Sequence, residues 1–160
     1  MQINMQGKGR TRVLAGILGS LLLVCMGCGL PVPGMSKPSP LHLQVHILGT
    51  ANQNSPVAVD VVAIRNKQLV PAIAALTAAQ WFQQKQQILR DHPDQLTIRS
   101  WEWVPGQDVR PLKAPMPGGT KQVIVFANYA TPGAHRALLG DHRQFSLTLQ
   151  QSDFLLQRLK

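Results

Sequence analysis

Hydrophobic and polar residues alternate from Leu41 onward, with Leu41, Leu43, Val45 and Ile47 separated by His42, Gln44 and His46. A period of two puts the apolar side chains on one face, so this segment is expected to be a half-buried strand. The polar residues Gly49, Thr50, Ala51, Asn52, Gln53, Asn54, Ser55 and Pro56 then form a loop. Val57, Val59 and Val61 open a second strand running to Ile64, expected to lie beside the first. At Thr77 the period changes. Thr77 with Gln80 makes a capping box, and Leu76 with Trp81 fits the hydrophobic staple that flanks one, so a helix should begin here. Its core stripe would be Ala78, Trp81, Phe82, Ile88 and Leu89, with Gln83, Gln84, Gln86 and Gln87 facing out and Pro93 ending it.

Alternation returns from Leu96 to Val104, with Trp101 and Trp103 on one face, and Pro105 to Asp108 form a turn. A short strand is predicted over 109–113. The run from Lys121 to Tyr129 is the most strand-like in the chain, and Val123, Ile124, Val125 and Phe126 are expected to be buried on both faces of a central strand. A last strand should cover 143–149. Five or six short strands, separated by Gly and Pro turns and joined by one helix, argue for a single β-sandwich over 41–160.

The first 40 residues read differently. Lys8, Arg10 and Arg12 precede an apolar run from Val13 to Met26 and the small residues Gly27, Cys28 and Gly29. The run is shorter than the roughly 20 residues that a spanning helix needs, and prolines rather than a charge cluster follow it. Residues 1–27 are therefore expected to be an export signal. Residues 28–40 carry four prolines and two glycines besides Cys28, a composition that sustains neither a helix nor a central strand and so reads as a tether.

Charge changes the picture less than its total suggests. The net charge is +9 from 16 bases and 7 acids, but three of the bases lie in the signal, leaving thirteen against seven, or +6. The remaining bases never form a run of five, and an exported domain meets little nucleic acid, so nucleic-acid binding is not expected. Enzymatic chemistry finds no support in the pattern. The chain has no Gly-x-Ser-x-Gly elbow, its acids are dispersed, and Asp91 and Asp94 simply flank the proline that ends the helix. His42 and His46 share a strand face, about 13 Å apart at 3.3 Å per residue, too far to chelate one metal. His135 and His142 lack partners at ligand spacing. Trp81, Trp101 and Trp103 are expected in the core. No metal or cofactor is anticipated.

The stretch Cys25-Met-Gly-Cys28 resembles a bacterial lipobox, in which a small residue precedes a cysteine that is acylated and becomes the new N-terminus. Gly27 precedes Cys28, which makes Cys28 the candidate for lipidation; Leu22 and Leu23 before Cys25 leave the other register open. Acylation at Cys28 would leave no thiol for a disulfide or a nucleophile. Gly29 stands where inner-membrane lipoproteins usually have Asp, so the resemblance implies the outer membrane.

Three stretches in order are similar to the outer-membrane lipoprotein of type VI secretion systems, the TssJ (SciN) family: Ser55 to Ile64 leading to Leu69, Val104-Pro-Gly106 after the helix, and Val123 to Tyr129. The resemblance implies a mostly β fold, a transthyretin-like β-sandwich with one added α-helix, lipid-anchored on the periplasmic face of the outer membrane. It also implies a non-catalytic role: holding the periplasmic part of a large TssM-like inner-membrane component. The loop from Gly49 to Pro56 corresponds to the partner-contact region of the family. As a polar surface loop it would tolerate replacement at little cost to the fold, and the basic pair His135 and Arg136 would be the next surface to consider. A secretin pilotin, which is also a small outer-membrane lipoprotein, is the alternative reading, followed by another periplasmic binding lipoprotein.

The anchor assignment is open to a direct test. Cys28→Ser should abolish acyl labelling and release the protein into the periplasm, while Cys25→Ser should keep its lipid; the reverse pattern would place the modified residue at Cys25.

Overall fold

The computed structural model describes residues 39–140 and 142–159. The signal, Cys28 and the tether as far as Pro38 lie outside the described residues.

Eight strands form two four-stranded sheets. They are β1 (Leu41–Ile47), β2 (Val57–Ile64), β3 (Leu96–Trp103), β4 (Leu112–Ala114), β5 (Gln122–Asn128), β6 (Arg136–Leu139), β7 (Gln144–Leu149) and β8 (Phe154–Arg158). The first sheet runs β4-β1-β7-β8 and the second β3-β2-β5-β6. Two helices, α1 (Val70–Ala75) and α2 (Ala78–Asp91), join β2 to β3.

The sandwich with a helix expected from the pattern is the fold found, with a second, shorter helix and two extra strands. The expectation that the first two strands are neighbours is wrong. β1 and β2 stand in opposite sheets, because β1 uses its backbone groups on β4 (antiparallel) and β7 (parallel). The loop between them crosses from one sheet to the other. The short strand begins at Leu112 rather than residue 109, since Pro111 has no N–H to give to a ladder. β6 and β8 were not foreseen. Each is an edge strand with one apolar side chain turned to solvent, Leu138 and Leu155, which breaks the alternation that marks a half-buried strand.

Two cores follow from the layering. Between the sheets pack Leu41, Leu43 and Val45 of β1, Val57, Val59 and Val61 of β2, Val123, Val125 and Ala127 of β5, and Phe145, Leu147 and Leu149 of β7. Trp103 is buried with them, and Trp101 lies stacked on it at 5.8 Å, half-buried. On the far side of the second sheet, Val62, Ile64, Ile124 and Phe126 meet Ile73 of α1 and Ala78 and Trp81 of α2. β2 and β5 are thus covered on both faces, as their unbroken apolar runs require.

The start of α2 is set by its sequence. Thr77 Oγ1 accepts from Gln80 N at 3.2 Å, and Gln80 Oε1 accepts from Thr77 N at 2.9 Å. The four glutamines expected to face outward are exposed, whereas of the expected stripe only Ala78 and Trp81 are fully buried. Trp81 stacks on Phe126 at 5.1 Å, and its Nε1 donates at 2.9 Å to Oδ2 of Asp60, a buried carboxylate of β2. Lys85, one turn further along, donates to the same oxygen at 2.9 Å.

Trp81→Ala should therefore destabilise the domain by roughly 3–5 kcal/mol. Trp81→Phe should fall between the two, because it keeps a ring against Phe126 but removes a donor from a buried carboxylate. Denaturant titration of both variants checks the order.

Candidate functional site

Four connections gather at the end of the sandwich where β1, β3, β5 and β7 finish: residues 48–56, 104–111, 129–135 and 150–153. The chain enters the domain at the opposite end, where β1 starts. Seven residues of β1 separate the two ends, roughly 20 Å at 3.3 Å per residue.

The loop over 49–56 is ordered by an unusual backbone. Asn52, Gln53 and Asn54 have φ of 45°, 54° and 64°, a single left-handed turn built without glycine. L-residues resist this region at about 1–2 kcal/mol each, and Asn resists least because its short amide can bond the nearby backbone. Asn52 does so. Its Nδ2 donates to the Pro56 carbonyl at 2.8 Å, and its Oδ1 accepts from Ala130 N at 2.8 Å. The turn is also held from the other sheet, with Asn52 N donating to Gln150 O at 3.0 Å and Gln53 N to Gln151 O at 3.1 Å.

The loops that grip it are themselves fixed. Gln150 N donates to the Tyr129 hydroxyl at 3.1 Å. Burial pushes that phenol up to about 12, against the opposing pull of the same Gln150 hydrogen bond and with a smaller upward push from the Asp153 charge. The His135 ring lies 5.1 Å from the Tyr129 ring, with Nε2 at 2.8 Å from the Thr131 carbonyl and Nδ1 at 3.0 Å from Asp153 Oδ1. Gly133 passes so close that a Cβ there would sit 2.6 Å from the ring. The expectation that His135 and Arg136 offer a basic surface is thus corrected: His135 is buried and both its ring nitrogens are engaged, which leaves Arg136 half-exposed beside it.

Of the residues proposed from sequence, Gly49, Thr50, Gln53, Asn54, Ser55 and Pro56 are exposed, while Ala51 and Asn52 are buried. Two neighbours escaped the sequence reading. Leu48 and Val104 are the most exposed large apolar residues near this end, at 45% and 53%, and Leu48 O accepts from Gly106 N at 3.3 Å, which ties their two loops together. The signal was present in the chain: each directly follows an inward strand residue, Ile47 and Trp103, so alternation turns it outward. The surface thus pairs two apolar side chains with hydrogen-bonding side chains on a held backbone. Among the described residues, no group of three His, Cys, Asp or Glu could hold a metal ion, and His42 and His46 are exposed on β1.

No protein-family model matches the chain, and no curated protein matches it in sequence. Solved structures do. The type VI secretion lipoprotein TssJ1 from Pseudomonas aeruginosa is similar with a TM-score of 0.59 at 14% identity, over 78% of this chain and 98% of that one. Lip from Serratia marcescens, a membrane-bound component of the type VI secretion system, gives 0.57 at 14% identity over 75% and 98%. A chain of a type VI membrane complex gives 0.59 at 17% identity over 76% and 99%. The fold of this chain is the fold of those proteins.

The loop is not uniformly replaceable, contrary to the sequence expectation. Asn52→Ala should cost about 2 kcal/mol or more, since it strands the Ala130 N–H and leaves a β-carbon in a left-handed turn. Gln53→Gly with Asn54→Gly should be neutral or stabilising, because glycine accepts this backbone freely. Thermal melts of the two variants distinguish a structural residue from displayed ones.

Proposed function

We propose that the protein is the outer-membrane lipoprotein of a type VI-like secretion complex. In this reading Cys28 carries the acyl chains, residues 28–40 form the tether, and the 41–160 sandwich stands on the periplasmic face without catalytic activity. It binds the periplasmic part of a TssM-like inner-membrane component and so ties the envelope-spanning assembly to the outer membrane.

The observation that carries the proposal is the likeness in fold, over three quarters of this chain, to a lipoprotein and other membrane components of that system. The arrangement of the two ends supports it. The chain arrives at one end of the sandwich, and the held loop from Gly49 to Pro56 stands at the other, so a partner can be engaged while the anchored end stays at the bilayer. A rigid loop also suits recognition, because little conformational entropy is lost on binding. Leu48 and Val104 would supply apolar contact area, and Thr50, Gln53, Asn54 and Ser55 the hydrogen bonds around it.

Copurification tests this reading. The full-length protein should capture the periplasmic domain of the inner-membrane component, and Gln53→Gly with Asn54→Gly, or Leu48→Ser with Val104→Ser, should weaken capture at least tenfold, a loss of about 1.4 kcal/mol. Capture unchanged by both pairs would move the contact elsewhere. Capture of a secretin peptide in place of the inner-membrane component would favour the pilotin reading.

A further inference from the structure

The excess positive charge, dispersed in sequence, collects at the end of the sandwich where the chain enters. Arg65 follows β2, Lys67 begins the connection to the helices, Lys113 faces His42 across β4 and β1, Lys121 precedes β5, Arg143 precedes β7 and Arg158 closes β8. Strand register puts all six at this end. Arg90 and Asp91 at the end of α2 offset each other, and Asp94 and Asp141 are the acids that neighbour these strand ends in the chain. Among the described residues, six bases stand here against Asp94. At the opposite end Glu102, Asp108 and Asp153 exceed Arg110 and Arg136.

These bases are not consumed by the fold. The two ion pairs among the described residues are Lys85 with Asp60 and His135 with Asp153, and neither involves this end. Two of the three arginines here bond carbonyls: Arg65 that of Asp94 at 3.4 Å, and Arg143 those of Gly140 and His142 at 3.3 and 3.0 Å. Lys121 lies where two shallow grooves meet, one shared with Arg143 and Gly140, the other with Lys67, Val70 and Pro71. The Arg158 guanidinium borders the same stretch, 3.6 Å from where a Cβ on Gly140 would be.

We propose that this end is a docking face for anionic phospholipid headgroups, resting on the bilayer that holds the anchor. The inference rests on the proposed acylation of Cys28, which would bring this end to a headgroup surface. Two or three acyl chains hold the protein at the membrane but do not by themselves set which way the sandwich faces. A multivalent basic face attracts anionic lipid and falls silent beyond a Debye length, so it acts only once the anchor has brought it close. Docking would fix the sandwich upright, with the loop from Gly49 to Pro56 pointing away from the bilayer.

The test uses the acylated chain that begins at Cys28, reconstituted into vesicles of phosphatidylcholine alone or with phosphatidylglycerol. Flotation with phosphatidylcholine vesicles reports the anchor by itself, and its absence would sink the anchor reading rather than the docking face. Amine acylation by a membrane-impermeant reagent, read by mass spectrometry, then reports the face. Lys67, Lys113 and Lys121 should be protected in phosphatidylglycerol vesicles and free in phosphatidylcholine or in 1 M salt, where screening acts within roughly 3 Å. Lys85, held by Asp60, should react equally throughout. Arg143→Gln with Arg158→Gln, which leaves the lysine reporters in place, should lower the docking equilibrium constant roughly fivefold per charge. Equal lysine reactivity in the two vesicle types, with flotation intact, would overturn the proposal.

Discussion

Covering one β-sheet on both faces is the constraint that organises the molecule. β2 and β5 lie between the partner sheet and the helices, so neither can present a polar face, and their sequences are accordingly apolar at nearly every position. The buried exception, Asp60, is tolerated because α2 brings Trp81 Nε1 and Lys85 Nζ to one of its oxygens. That carboxylate helps to fix where the helix sits along the sheet, since it meets Trp81 and Lys85 while Trp81 also stacks on Phe126. The other oxygen, Oδ1, is buried with no hydrogen-bond partner, so the site is a locating device more than a source of net stability.

The same economy operates at the loop end, by different means. The turn over Asn52 to Asn54 takes its order from three connections that bond one another. Asn52 is the pivot, since one side chain closes its own loop and reaches across to Ala130. Tyr129 and His135 form the layer beneath, and a buried tyrosine hydroxyl with a backbone donor is a common way to lock a sandwich corner. The result is a rigid platform whose outward side chains, Gln53, Asn54, Leu48 and Val104, are free of structural duty. This division between held backbone and unoccupied side chains is what a recognition surface needs.

Charge completes the polarity of the domain. The bases that look scattered along the chain converge because strand ends of one side come together, and the acids near the loop end do the same. The domain therefore has basic charge at one end and a held polar loop at the other, which gives its surface a built-in direction.

Much of this was legible in the sequence. Alternation marked β1, β2, β3 and β7, the capping box located α2 at its first residue, and the double-faced apolar run marked β5 as central, because each signal depends on residues close in the chain. The candidate loop was legible as a polar segment between two strong strands. The pairing of β1 with β7, about a hundred residues apart, was not legible, and neither were the edge strands β6 and β8, whose patterns are too short and too mixed to stand out from loops. Nor could local pattern tell that Asn52 is buried while Gln53 and Asn54 are displayed, since their roles depend on Ala130 and Gln150. Sequence by itself determined which segments are strands or helix and which faces are apolar, since those follow from periodicity and capping within a few residues. Only the tertiary structure decided which strands pair, which loop residue is structural and where the charges meet, because those depend on contacts between residues far apart in the chain.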